Sequence, residues 1–160
     1  MKSLVAETWS SALLDCGASK TVCGKEWFQK YKQSLSNENQ QKILTSDSNN
    51  TFRFGDGKRE KSQKCVSLPA TIGSMDITIN ADIVDNDIPL LLSRDSMKKA
   101  NMNLDFENDT VTILGERIPL VMVASGHYSI PITKPVILSN KLEKGNLSSI
   151  TLSVSNRTTK

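Results

Sequence analysis

Histidine occurs once in the 160 residues, and that scarcity excludes several kinds of chemistry. A histidine-rich metal centre is impossible, and a Ser-His-Asp or Cys-His enzyme would have to rest on His127 alone. That residue sits in Ser125-Gly126-His127-Tyr128 with nothing beside it to mark an oriented base, so it reads as structural or exposed. Cysteine is sparse too. Cys16, Cys23 and Cys65 form an odd set with no CxxC pair, which argues against a disulfide framework or a zinc ribbon and fits the reducing cytoplasm. Long apolar runs are missing: nothing approaches the roughly 20 residues of a membrane helix. The opening Met1-Lys2-Ser3-Leu4-Val5 lacks the apolar stretch of a secretory signal. The N-x-S/T sequons at Asn49, Asn108, Asn146 and Asn156 are therefore expected to be chance. No charge surplus exists either. The net charge is +3 with the signs interspersed, which points to neither nucleic acid nor a membrane surface. The densest basic stretch, Lys58-Arg59-Glu60-Lys61, contains a glutamate and reads as a solvated turn.

What is present is mostly strand signal. The length suits one domain, and 38% hydrophobic residues permit a compact core of modest size. A chain this small gains from oligomerising. Residues 9–14 form an apolar-leaning run ending at Asp15. Within 24–41, Trp27, Phe28, Tyr31 and Leu35 fall at helical spacing, predicting a short core-packed helix with a frayed end. The Ser/Asn-rich stretch 34–50 reads as a surface loop. Thr51-Phe52-Arg53-Phe54 alternates and runs into Gly55-Asp56-Gly57, whose glycines offer the positive φ of a tight hairpin, with 64–72 as the returning strand. In 75–84, Ile77, Ile79, Ala81 and Ile83 point one way and Asp76, Thr78, Asn80 and Asp82 the other. Residues 88–92 read as a buried strand. A short helix over 93–100 follows, N-capped by Ser93, with Asp95 in its first turn and Lys98 and Lys99 in its last. Strands are predicted over 102–106, 110–114 and 117–123. Beyond about Lys134 the pattern dissolves, so 1–133 reads as the domain and 134–160 as a polar linker or tail.

The chemistry concentrates in Ala12-Leu13-Leu14-Asp15-Cys16-Gly17-Ala18-Ser19, where an apolar strand delivers one carboxylate to a small-residue turn. Acid protease chemistry needs a carboxylate held rigidly beside a second one. Two such groups cannot both ionise at contact distance, so they share a proton. The ionised partner then activates a water, while the protonated one hydrogen-bonds the scissile carbonyl. An ordinary Asp-x-Gly turn after a strand would look the same in isolation.

Three segments taken in order resemble the retropepsins, the aspartic proteases of retroviruses and LTR retrotransposons. Leu13-Leu14-Asp15-Cys16-Gly17-Ala18-Ser19 resembles their D-S/T-G-A signature. Phe52-Arg53-Phe54-Gly55-Asp56-Gly57 falls where that family has its flap, and Ile88-Pro89-Leu90-Leu91-Leu92-Ser93-Arg94-Asp95 resembles its second signature. The run 103–108 and then Val111-Thr112-Ile113 is similar to the strand pair that follows, so the resemblance spans 9–123. It implies an all-β, retropepsin-like closed barrel half with a flap hairpin and one or two short helices. Asp15 would be catalytic; Cys16, Gly17 and Ala18 would form the active-site turn; Phe54, Gly55, Asp56 and Gly57 the flap; and Leu92, Ser93, Arg94 and Asp95 the second signature. Only one D-x-G-A is present, and none of Asp56, Asp82, Asp85, Asp95 or Asp105 opens a Gly-Ala turn after an apolar strand, so a homodimer is implied. The resemblance implies no cofactor and no metal, and a peptide or polyprotein substrate in the cytoplasm or a retroelement particle.

The sequence departs from the pattern at two places. Cys16 stands where the family has Ser or Thr, whose hydroxyl is implied to brace the two active-site turns; a thiol is a weaker donor. Ser93 stands where Gly is usual. Arg94 matches the family's arginine, but Ser19 and Lys20 occupy the stretch that would hold its acidic partner, so an exposed Arg94 is the plainer reading. The alternative function is an inactive retropepsin fold that dimerises or binds extended peptides.

Overall fold

The computed structural model describes residues 9–133 and the strand Thr151–Ser153. Its elements in chain order are β1 (Ser11–Leu14), β2 (Val22–Gly24), α1 (Lys25–Ser34), α2 (Asn37–Gln41), β3 (Leu44–Asp47), β4 (Thr51–Arg53), β5 (Arg59–Lys61), β6 (Lys64–Ile72) and β7 (Met75–Val84). There follow β8 (Leu90–Leu92), α3 (Arg94–Lys99), β9 (Asn103–Asp105), β10 (Thr110–Ile113), β11 (Glu116–Pro119), β12 (Val121–Met122), β13 (Tyr128–Pro131) and β14 (Thr151–Ser153). The protein is mostly β.

The large sheet runs β12-β13-β1-β8-β2-β7-β6-β3, with β14 added in parallel on β7. Its order has two ends, β12 and β3, so the described strands form an open mixed sheet and not the closed barrel the resemblance implied. β1 is parallel to β8 and antiparallel to β13, and β2 is parallel to β7. The longest pairing, β6 with β7, is an antiparallel hairpin turning at Gly73, whose φ of +61° suits a residue without a side chain. A three-stranded sheet, β11-β10-β9, and the isolated hairpin β4-β5 complete the strands.

One face of the large sheet carries the main core. Leu68, Ile79, Leu90 and Ile130 are buried there, joined by Val111, Ile113 and Ile118 of the small sheet. Helix α1 seals it: Trp27 stacks on Tyr31 with ring centroids 4.9 Å apart, and the Tyr31 hydroxyl donates to the Pro69 carbonyl at 2.7 Å. Leu35, predicted inside this helix, is its half-buried C-cap.

Several local expectations change. The stretch 34–50 contains α2, capped by Ser36 accepting from the Asn39 amide at 3.1 Å, and the exposed edge strand β3. Both are polar, and an edge strand or short surface helix leaves no apolar periodicity to read. With α2 there are three helices among the described residues, not one or two. The strand returning from Thr51-Phe52-Arg53 is the charged β5; residues 64–72 pair instead with β3 and β7. In β7 the alternation predicted for 75–84 holds, with Ile83 still packed on the main core; what differs is that the opposite face is itself covered at Asp82 and Val84. The strand predicted over 117–123 divides at Leu120 into β11 and β12. The tail reading lies outside the described residues except at Thr151–Ser153.

Candidate active site

Asp15 follows β1 directly. Its amide donates to the Leu92 carbonyl at 3.0 Å, extending the parallel β1–β8 ladder by one residue and fixing where the carboxylate emerges. The Ala18 amide donates back to the Asp15 carbonyl at 3.0 Å, closing the turn. The Gly17 amide donates to Asp15 Oδ1 at 3.0 Å, which orients the carboxylate. Gly17 does not adopt a positive φ. A methyl group there would sit 3.4 Å from Asp15 Oδ1, so the missing side chain leaves one side of the carboxylate open.

The second segment lies against this turn. The Arg94 amide donates to the Ala18 carbonyl at 3.3 Å. Behind it, Thr21 Oγ1 accepts from the Ser93 amide at 3.0 Å and lies 2.7 Å from Ser96 Oγ. Ser93 Oγ accepts from the Ser96 amide at 3.1 Å, the N-cap expected for α3. This buried hydroxyl cluster ties the chain leaving the Asp15 turn to the start of α3. Sequence reading missed Thr21, since its partners lie 72 and 75 residues away.

Strand register decides what shares a face with Asp15. Leu13 is the Cα partner of Leu91, Leu91 of Val22, and Val22 of Asp82. Side chains alternate along a strand, so this row and Asp15, two residues beyond Leu13, point away from the main core. On that face Val22, Phe52 and Val84 form a small apolar cluster, with Phe54, Ile88 and Leu91 packed on it. Phe52 roots the β4–β5 hairpin there, its ring centroid 6.4 Å from that of Phe54. The hairpin and Asp15 thus share one side of the sheet.

At the hairpin tip, the Phe54 amide donates to the Lys58 carbonyl at 3.0 Å and the Gly57 amide to the Phe54 carbonyl at 2.8 Å. Gly57 alone takes a positive φ, +84°; Gly55 does not, correcting the expectation that both glycines supply it. Asp56 Oδ1 accepts from the Lys58 amide at 2.9 Å, so this carboxylate caps its own turn.

The remaining candidates are peripheral. Leu92 is buried in the main core. Arg94 is exposed and makes no ion pair among the described residues, and Asp95 pairs with Lys99 at 3.2 Å on the surface. Cys16 is exposed on the turn. Burial first, and then the nearby Asp82 carboxylate, raise the thiols of Cys23 and Cys65, which keeps both protonated and unreactive. Cys23 is buried as expected, whereas Cys65 is only half-buried. His127 Nδ1 lies 2.9 Å from Ser125 Oγ, a local contact at a turn. No group of three or more His, Cys, Asp or Glu among the described residues is placed to hold a metal. No helix among them is long and apolar enough to cross a membrane.

No protein-family model matches the sequence, and no curated protein does. Among solved structures the chain is similar to the retroviral protease-like domain of Ddi1 from Leishmania major. The identity is 17% and the TM-score 0.47, over 68% of this chain and 81% of that one. A likeness this distant stands beside the site geometry and adds nothing to it.

Proposed function

We propose that the chain is a retropepsin-like aspartic endopeptidase that works as a homodimer, each copy contributing Asp15 to one catalytic pair. The observation that carries this reading is the fixing of Asp15. Its carboxylate is oriented by the Gly17 amide, its backbone is tied to Leu92, and its turn is tied to Arg94. A half-buried acid held this firmly at the end of a strand, on the same side of the sheet as an aromatic-rooted hairpin, is what a two-carboxylate hydrolase needs from each half. Paired across a twofold axis, two such acids share a proton and act on one water. The hairpin is the flap, which closes on an extended peptide; 1–133 is the protease domain, and 134–160 is a linker or tail whose Thr151–Ser153 strand pairs with β7. The substrate is the polyprotein of a retroelement in which this domain is embedded, in the cytoplasm or a particle.

A second reading rests on Cys16. Its thiol is exposed on the turn, where a hydroxyl would brace the two halves more strongly. The same fold without activity would bind extended peptides as a dimer. The deciding experiment is cleavage of a peptide library at mildly acidic pH by wild type and Asp15→Asn, with sedimentation over a wide concentration range. Cleavage lost in Asp15→Asn supports the enzyme. Peptide binding without cleavage supports the module. A strictly monomeric species that cleaves excludes the two-copy site.

A further inference from the structure

Asp82 is a carboxylate with only 5% of its surface exposed, in the middle of the sheet. Burying such a group is costly unless its oxygens are well satisfied. No lysine or arginine among the described residues pairs with it. Its partners are instead three neutral side chains. Asn50 Nδ2 donates to Oδ2 at 3.0 Å, Ser48 Oγ makes a close hydrogen bond to Oδ1, and Ser62 Oγ shares its one proton between Oδ1 at 3.0 Å and the Lys64 carbonyl at 2.8 Å.

The positions of these partners matter. Ser48 and Asn50 lead into β4, and Ser62 follows β5, so one carboxylate holds both legs of the hairpin. The Ser62 amide donates to the Asn50 carbonyl at 2.8 Å and the Ser48 amide to the Gln63 carbonyl at 3.0 Å, closing the base between the legs. The hairpin itself is a separate two-stranded sheet, with no ladder to the large one. Its legs run on into β3 and β6, and its side-chain anchorage is Phe52 on the Val22–Val84 cluster and this polar clasp.

We propose that Asp82 is a positioning residue: by gripping Ser48, Asn50 and Ser62 it sets the angle at which the hairpin stands over the Asp15 face. This rests on reading the hairpin as a flap. It explains why Asp82, on the face of β7 opposite the main core, is buried all the same. A row across the sheet, Leu13-Leu91-Val22-Asp82, links the acid that would react to the acid that holds the cover.

The test compares wild type, Asp82→Asn and Asn50→Ala in amide hydrogen exchange and in peptide cleavage. Losing a hydrogen bond to a charged group should speed exchange across residues 49–63 about tenfold while the rest of β6 and β7 keeps its protection. KM for a cleaved peptide should rise more than kcat falls, and the pH profile should keep its shape because Asp15 is untouched. If Asp82→Asn does not fold, Asn50→Ala, which removes one donor, decides alone. Unchanged hairpin exchange, or equal acceleration everywhere, overturns the clasp. A looser hairpin with unaltered KM and kcat overturns the positioning role. A looser hairpin in a protein whose wild type binds peptide without cleaving it, and whose variants bind that peptide more weakly, sustains the clasp and removes only the protease reading.

Discussion

The two faces of the large sheet are built on different terms. The core face is dry and apolar, with Leu68, Leu90 and Ile130 fully buried and Trp27 stacked on Tyr31 above them. The opposite face carries a small apolar island of Val22, Phe52 and Val84, flanked by Asp15 on one side and the Asp82 clasp on the other. Stability should thus be concentrated on the first face and chemistry on the second. Polar groups that must meet a substrate cannot also fill a close-packed interior.

The sharpest way to break that division is at Asp15. Asp15→Asn removes both carboxylates of the proposed pair at once, and peptide cleavage should fall by about a thousandfold or more. Thermal stability should be nearly unchanged, since Asn is almost isosteric and the Gly17 amide can still donate to its carbonyl oxygen. If the proposed pair works as one protonated and one ionised acid, rates measured from about pH 4 to 8 should fall away on both sides of a maximum. Full activity in Asp15→Asn would end the assignment.

The core face should respond in the opposite way. Leu68→Ala empties a fully buried site and should cost about 2–5 kcal/mol by urea titration. Any loss of cleavage in that variant should follow the unfolded fraction and recover at lower temperature or denaturant.

Two glycines sharpen the contrast. A side chain on Gly24 would come 2.7 Å from the Ile88 carbonyl and 2.9 Å from its amide nitrogen, backbone that cannot swing aside. Gly24→Ala should therefore destabilise the protein by about 1–3 kcal/mol. Gly17→Ala meets only ordinary contact, with Asp15 Oδ1, so its stability should stay within about 0.5 kcal/mol of wild type. Its turnover should drop all the same, because the new methyl group crowds the carboxylate. If Gly17→Ala loses as much stability as Gly24→Ala, the Asp15 turn is packed more tightly than its contacts indicate.

How far the sequence carried these distinctions depended on which face a residue serves. The main core was legible because one-sided burial leaves a period of two: Ile77, Ile79 and Ala81 were read correctly from alternation alone. Reading failed where a strand is covered on both sides. Beyond Ala81 the hairpin base covers the second face, and alternation gives no sign that Asp82 there is buried. The Asp15 turn and the second segment were found as separate motifs. The hydroxyl cluster through Thr21 that binds them was not, because contacts between residues 72 positions apart leave no local pattern. The hairpin's return strand was misassigned for a related reason. Arg59-Glu60-Lys61 is short and charged, while residues 64–72 look more like a strand and belong to another pairing.

The smallest expected effect lies at Cys16, beside Asp15 on the turn that the proposed dimer would pair. In the single chain its side chain is exposed on the Asp15 turn. Exposure in one copy next to a group needed in pairs places it at the proposed twofold axis. Replacing it with threonine supplies a hydroxyl, which donates more strongly than a thiol over a shorter reach. One net hydrogen bond is worth roughly 0.5–1.5 kcal/mol, and a symmetric dimer makes two, so dimer affinity should tighten by roughly five- to a hundredfold. Monomer stability should move little, since the exposed Cys16 thiol makes no hydrogen bond among the described residues. Sedimentation equilibrium measures the first quantity and denaturation of the dilute monomer the second. A dimer that tightens while turnover rises would show that the thiol leaves the pair under-braced. A dimer that tightens with turnover unchanged would mean that Cys16 tunes assembly alone. Weaker association would place Cys16 away from the axis, and the pairing of the two Asp15 turns would need a different geometry.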